Sequence, residues 1–319
     1  MRYYLAFDGG GTKLQGVLFD EDYRILSAAK TGGVNGTIHS REEIDRSIRQ
    51  CVEEMLLAAG GNIPGIEAVY TSQSDRYRNI VREYLPCEHL QICGEGTLGV
   101  LTSGMISGVC ALSGTGSDVF YVEDGKELDV LGGWGYVMGD AGSGFDIGRR
   151  ALELMFLRSE GLRKPGLLDE IIDRRISLVT KGDIIDAIYH QPSPAHFVAS
   201  FCKCVNEAAQ AGDPASQEIL YSAGAALARQ TCQMVGKHRL AEEVPFCTTG
   251  SVFRYCAQAR RGFEDTLRQN LPAPRIRASM FEPVIGGILY CMLQNGEPLD
   301  AGNYRRLREN CKDFLIETI

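Results

Sequence analysis

The stretch Ala6-Phe7-Asp8-Gly9-Gly10-Gly11-Thr12-Lys13 continues into Leu14-Gln15-Gly16-Val17-Leu18-Phe19 and an acidic turn at Asp20-Glu21-Asp22. A second stretch is built to the same plan: Ala111-Leu112-Ser113-Gly114-Thr115-Gly116-Ser117-Asp118, then Val119-Phe120-Tyr121-Val122, then Glu123-Asp124-Gly125-Lys126. Each is an apolar strand, a glycine tip with hydroxyls, a second strand and a tight turn, with third strands expected over 24–29 and 127–131. Recurrence of a supersecondary unit speaks to the whole fold. Two such hairpins, one per half, predict two lobes that hold one anion from both sides. A dinucleotide-binding loop or a P-loop would run from its glycines into a helix. Residues 14–19 instead alternate with period two, as a strand does. The glycines therefore sit at a hairpin tip, where backbone N–H groups can approach a phosphate with no Cβ in the way. A single tip of this kind reads first as an ordinary tight hairpin; two matched tips, one preceded by an aspartate, favour phosphate.

Composition sets wider bounds. At 319 residues the chain exceeds one comfortable core, so two domains are expected. A net charge of −8 without a basic stripe argues against nucleic-acid binding. Met1-Arg2-Tyr3-Tyr4 enters the first strand directly, so no signal peptide and a cytoplasmic location are expected. Residues 96–117 lack charge but are broken by glycines and hydroxyls, and read as buried helix and strand rather than a membrane span. Most of the eleven cysteines lie in apolar segments and read as reduced core residues. Cys202 and Cys204 are the close pair, with no neighbouring histidine or second pair to complete a zinc set.

The first half alternates strands and helices, with a helix over 41–59 capped by Ser40 and Glu43, strands over 68–71 and 90–93, and helices over 76–84 and 96–103. The lobe boundary is expected within 105–115, giving an N-terminal lobe 1–112 and a C-terminal lobe 113–319. The second lobe reads as mostly helical, over 144–158, 167–176, 181–189, 194–211, 214–239, 251–270 and 283–294, with strands over 119–123, 127–131, 244–247 and 275–279. A terminal helix over 300–318 carries Tyr304, Leu307, Cys311 and Leu315 at helical spacing and can pack back on the N-terminal lobe.

Six glycines fall within Gly132-Gly133-Trp134-Gly135-Tyr136-Val137-Met138-Gly139-Asp140-Ala141-Gly142-Ser143-Gly144. That density is costly in chain entropy. A backbone moulded around a small polar ligand accounts for it better than a mobile surface loop, and Asp140 can meet a sugar hydroxyl or cap the next helix. In Thr248-Thr249-Gly250-Ser251, capping by Thr249 or Ser251 and nucleotide contact remain equal alternatives. Gly286-Gly287 reads as a close-packing site.

These residues resemble the actin-like ATPase superfamily of sugar kinases, and within it the N-acetylglucosamine kinase and BadF/BadG/BcrA/BcrD-type ATPase family. The resemblance runs through nearly the whole length and implies an α/β, ribonuclease H-like fold of duplicated βββαβαβα lobes around a cleft. Asp8-Gly9-Gly10-Gly11-Thr12-Lys13 resembles the first phosphate motif, Ser113-Gly114-Thr115-Gly116-Ser117 the second, and Thr248-Thr249-Gly250-Ser251-Val252 the adenosine segment. Gly133-Trp134-Gly135 with Met138-Gly139-Asp140 and Gly142-Ser143 is the most specific match. The resemblance implies ATP with Mg²⁺, Asp8 orienting the hydrated metal, and Thr12 and Thr115 at the phosphates. It further implies phosphate or nucleotide contacts by Gly10, Gly11, Lys13, Gly114, Gly116, Ser117, Thr249, Gly250 and Ser251. Asn35, Gly133, Trp134 and Asp140 would hold a sugar, and the family often forms a homodimer.

One departure bears on the chemistry. The family aspartate that accepts the hydroxyl proton stands eighteen positions before the serine of the second phosphate loop, where this chain has Glu95. Glutamate can act as a base, but its extra methylene displaces the carboxylate by on the order of 1.5 Å, and errors of about 1 Å cost roughly a hundredfold. Glu95 also reads simply as an acid favoured at a helix N-terminus. A second departure is Thr71-Ser72-Gln73-Ser74, where many relatives carry a glycine-rich loop. The leading expectation is an amino-sugar kinase. Behind it stands an ATPase coupled to conformational change, as in 2-hydroxyacyl-CoA dehydratase activators with a cysteine-held cluster, and last a non-catalytic sensor.

Overall fold

The computed structural model describes residues 1–36, 39–60, 63–72, 74–176, 180–191, 193–241 and 244–316. Gln73 and the expected end of the terminal helix at 317–318 lie outside them. By contact density the chain forms two compact units. One comprises 1–108, 121–128 and 277–318, and the other 109–120, 129–276 and 319.

The first unit is built on β1 (Tyr3–Gly9), β2 (Lys13–Asp20) and β3 (Ile25–Gly32), followed by α1 (Arg41–Ala58), β4 (Ile66–Thr71), α2 (Arg76–Val81), β5 (Cys87–Ile92) and α3 (Glu95–Thr102). Its sheet order is β3-β2-β1-β4-β5, with β1 antiparallel to β2 and parallel to β4. Successive side chains of a strand point to opposite faces. Leu5, Phe7, Leu14 and Leu18 accordingly pack under α1 and α2, while Tyr4, Ala6, Val17 and Phe19 pack into a core on the opposite face. Burial of each such large side chain is worth about 1.5–3 kcal/mol.

The second sheet holds β6 (Gly108–Ser113), β7 (Ser117–Glu123) and β8 (Lys126–Gly132). The chain then runs through α4 (Gly144–Ser159), α5 (Leu167–Arg175), α6 (Lys181–Tyr189), α7 (Pro194–Ser200), α8 (Cys202–Gln210) and α9 (Pro214–His238). After these come β9 (Pro245–Thr249), α10 (Ser251–Tyr255), α11 (Ala257–Asn270) and β10 (Arg275–Ala278). Its order, β10-β9-β6-β7-β8, repeats β5-β4-β1-β2-β3 of the first sheet strand for strand. The duplication read from the two hairpins therefore extends to whole sheets. Two long expected helices are each broken. The 194–211 segment divides at Phe201, and 251–270 divides at Cys256, whose φ of −104° and ψ of 90° are extended. Cys202 lies not with Cys204 but with Cys256, at 4.0 Å between sulfurs in the helical core. Among the described residues no group of three His, Cys, Asp or Glu is placed to hold a metal ion, and no helix is long and apolar enough to cross a membrane.

The C-terminal segment returns to the first unit as α12 (Ile285–Gln294) and α13 (Ala301–Asn310). The close-packing reading of Gly286-Gly287 holds, since a Cβ at Gly287 would stand 2.6 Å from Ala6 Cβ. Tyr304, Leu307 and Cys311 join the core beside β1. The expected terminal helix stops at Asn310 and is followed by a single 3-10 turn over Lys312–Phe314, after which Leu315 is extended. The Glu282 N–H donates to the Phe314 carbonyl at 2.8 Å, and Phe281 bridges Leu315.

Asp129 of β8 joins the C-terminal turn of α9, with Lys237 Nζ at 2.6 Å and His238 Nε2 at 2.5 Å. These hydrogen bonds, Lys237 first, hold its pKa down to about 2 from 3.8. A depressed acid stabilises the fold above its unfolded pKa and loses that contribution as pH falls through the folded value. Asp129→Asn is therefore expected to lower the thermal midpoint at pH 7, with the deficit closing between about pH 4 and pH 2, as scanning calorimetry at the two pH extremes would show.

Candidate active site

Register puts the candidate residues of the first unit at one sheet edge. Phe7 pairs with Thr71 and Thr71 with Ile92, so the parallel strands β1, β4 and β5 end together. Asp8, Ser72 and the Cys93–Glu95 segment follow from those ends, the position at which open α/β sheets bind ligands. Asp8 is half-buried, and no hydrogen bond to its carboxylate is present among the described residues. Its pKa rises to about 6, through burial foremost, with Glu282 adding to the rise and Lys13 opposing it. Ser72 Oγ and Tyr77 OH are also buried at this edge with no hydrogen-bond partner among the described residues. A desolvated carboxylate without donors, beside a second carboxylate, suits a hydrated divalent cation held by one or two acids and by substrate phosphates.

The first glycine loop is braced from behind. The Gly10 N–H donates to the Lys13 carbonyl at 3.0 Å, the Val34 N–H donates to the Gly10 carbonyl at 2.9 Å, and His39 Nε2 lies 2.9 Å from the Gly11 carbonyl. Lys13 Nζ stands 2.8 Å from Gln15 Oε1 and 3.7 Å from Glu282 Oε2. Thr12 belongs to this tip, and Asn35 lies beyond β3, where its carbonyl accepts from the His39 N–H. Glu95 is the first residue of α3, behind the extended Gly94.

In the second unit the three glycine segments converge on one loop. Ser113 Oγ donates to the Gly142 carbonyl at 2.8 Å, Ser117 Oγ donates to the Ala141 carbonyl at 3.0 Å, and the Gly144 and Phe145 N–H groups donate to the Gly114 and Thr115 carbonyls. A Cβ at Gly250, whose φ is +97°, would lie 2.2 Å from the Ser113 carbonyl oxygen. Of the nucleotide candidates Thr249, Gly250 and Ser251, Gly250 is thus pressed against the second glycine loop at Ser113. Neither Thr249 nor Ser251 caps the following helix: its N-cap is Gly250, without a side-chain bond.

Asp140 neither caps α4, a role taken by Ser143 with the Asp146 N–H at 3.1 Å, nor stands apart from the protein. Its carboxylate accepts the Ser117 and Gly135 N–H groups and ties the tryptophan loop to the second glycine loop, while partial burial raises its pKa. The glycine density has a backbone cause, since Gly132, Gly133, Gly135 and Gly142 all have positive φ. Trp134 is 72% exposed, with its neighbours Val137 and Met138 exposed too. A groove of about 760 Å³ lined by Ser103, Arg277, Met280, Tyr304, Arg305 and Arg308 contains none of these candidates.

Two tip glycines have no such structural cause. A Cβ at Gly10 or at Gly114 would meet nothing within 4 Å, and neither has a positive φ. Packing and backbone conformation both permit larger residues there, as they also do at Gly36 and Gly236. His39, Glu282 and Glu127 (which meets the N-terminus of α3) were not singled out from the sequence. They reach the loops by tertiary contact and carry no local motif.

A profile of the BadF/BadG/BcrA/BcrD ATPase family matches residues 7–291. The N-acetylmuramic acid/N-acetylglucosamine kinase of Clostridium acetobutylicum is 25% identical over 300 residues, covering 91% of this chain and 98% of that protein. The glucosamine kinase GspK of Vibrio cholerae is 23% identical over 269 residues, or 79% of this chain and 85% of that one. In fold, a candidate N-acetylglucosamine kinase from Chromobacterium violaceum superposes with a TM-score of 0.70 at 23% identity, over 91% of this chain and 98% of that chain. With 285 consecutive positions matched (291 − 7 + 1), the duplicated sheets and glycine tips have their family: this chain belongs to the BadF/BadG/BcrA/BcrD ATPases.

Proposed function

We propose that the chain transfers the γ-phosphoryl group of ATP to a hydroxyl of an amino sugar such as N-acetylglucosamine or glucosamine. The pair of bare tip glycines carries this reading: their own N–H groups bond the Lys13 and Gly116 carbonyls, and the space beside each Cα that a side chain would fill is open to a phosphate. The kinases named among the relatives supply the acceptor class. Gly10, Gly11, Thr12 and Lys13, with Gly114, Thr115, Gly116 and Ser117, take the phosphates, and Thr249, Gly250 and Ser251 take the adenosine. Asn35, Gly133, Trp134 and Asp140 hold the sugar, Asp140 at the carboxylate edge left over from its two backbone bonds. Mg²⁺, when bound through water to Asp8, neutralises phosphate charge. Glu95 accepts the proton of the attacking hydroxyl. Such transfer needs placement and charge more than covalent help from the protein. A homodimer in the cytoplasm is part of the same proposal.

A second reading, ATP hydrolysis coupled to a partner without a sugar acceptor, is favoured by one observation: Glu95 in place of the family aspartate. Measuring ADP release with glucosamine, N-acetylglucosamine, N-acetylmuramic acid or glucose, against the rate without acceptor, separates the two. Stimulation by an amino sugar with one phosphorylated product per ADP is the expected result. Hydrolysis that no sugar stimulates would replace the first reading by the second.

A further inference from the structure

The N-terminus of α3 lacks a cap of its own. Gly94 offers no side chain, yet its φ of −61° and ψ of 159° are open to any residue. Space forbids one: a Cβ at Gly94 would lie 2.2 Å from Glu127 Oε2 and 2.7 Å from Glu127 Cδ. The carboxylate of Glu127, at the start of β8, fills that volume and accepts the Gly96 N–H at 3.1 Å. It makes the bond an N-cap side chain would make to the second helical N–H, and places negative charge at the positive end of the helix.

The turn behind Glu127 is fixed rather than loose. The Gly125 N–H donates to the Ile106 carbonyl at 2.7 Å, Thr97 Oγ1 of α3 donates to the Gly125 carbonyl at 3.3 Å, and a Cβ at Gly125 would lie 2.5 Å from Leu293 Cδ2. The residue as a whole is solvent-exposed, but its carboxyl end is desolvated enough to raise its pKa against the opposing Gly96 bond.

We propose that Glu127 is a positioning residue for Glu95: it caps α3 in place of residue 94 and fixes the backbone from which the Glu95 carboxylate projects. This rests on the reading of Glu95 as the base. A base one methylene longer than the family aspartate tolerates less freedom in the turn that carries it, because placement errors of about 1 Å cost roughly a hundredfold.

The test uses the full chain with Glu127→Ala, Glu127→Gln and Gly94→Ala, assayed for kcat and for KM of ATP and sugar. Glu127→Ala is expected to lower kcat about ten- to a hundredfold with KM for ATP unchanged. Glu127→Gln, whose amide oxygen accepts the same bond, restores most of that rate. Gly94→Ala expels the native carboxylate and is expected to match Glu127→Ala, and the double variant to be no worse than either single one. A wild-type rate in Glu127→Ala, equal impairment of the alanine and glutamine variants, or multiplying effects of Gly94→Ala and Glu127→Ala would overturn the proposal. Hydrogen exchange at the Gly96 amide is read in parallel. If the wild type phosphorylates no sugar, the kinase reading fails by itself; faster exchange in Glu127→Ala than in Glu127→Gln then still supports the cap, and equal exchange overturns it.

Discussion

Glu95→Gln is expected to reduce sugar phosphorylation at least about a hundredfold while leaving the affinity for ATP nearly unchanged. The amide keeps the size and polarity of the side chain and removes its ability to take a proton. The nucleotide candidates Thr249–Ser251 and the second glycine loop belong to the other compact unit. A hundredfold corresponds to about 2.7 kcal/mol of barrier, within what general-base assistance supplies. Steady-state kinetics with saturating sugar checks it, and unaltered turnover would exclude Glu95 as the base.

The second large effect is expected from Asp8→Asn: a loss of Mg²⁺-dependent turnover of about 10²–10³-fold with every acceptor tested. Asp8 lies in β1, one residue before its end, with no donor to its carboxylate among the described residues, beside Glu282 and Lys13. Asparagine there retains a polar oxygen but not the charge a hydrated divalent cation requires. Rates titrated against Mg²⁺ with several sugars give the measurement. A loss confined to one sugar would contradict the proposed role, in which the metal would serve the nucleotide and not the acceptor.

Several features were legible from local pattern. Residues 14–19 suited a strand better than a helix after the first glycine tip, and β2 forms there; the capping pair Ser40 and Glu43 marked the start of α1, with both bonds of the capping box formed. The matched hairpins announced the repeated strand order. Other features had no local pattern to carry them. The break at Cys256 and the extended Leu315, which bridges Phe281 after a 3-10 turn, fall on residues whose helical periodicity looked unbroken. Asp140 read as a sugar ligand or helix cap, and its two backbone bonds depend on loops brought together only in the folded unit.

By itself, the order of residues determined where the backbone is bare, where it alternates and where it turns, since glycine content and side-chain period act within a few bonds. Tertiary structure decided which charged groups attend those bare tips: Glu282 beside Lys13, His39 behind Gly11, and Glu127 on Gly96. Their partners lie far away along the chain, and a contact made across a sheet edge or a helix end leaves no spacing rule in the sequence to announce it.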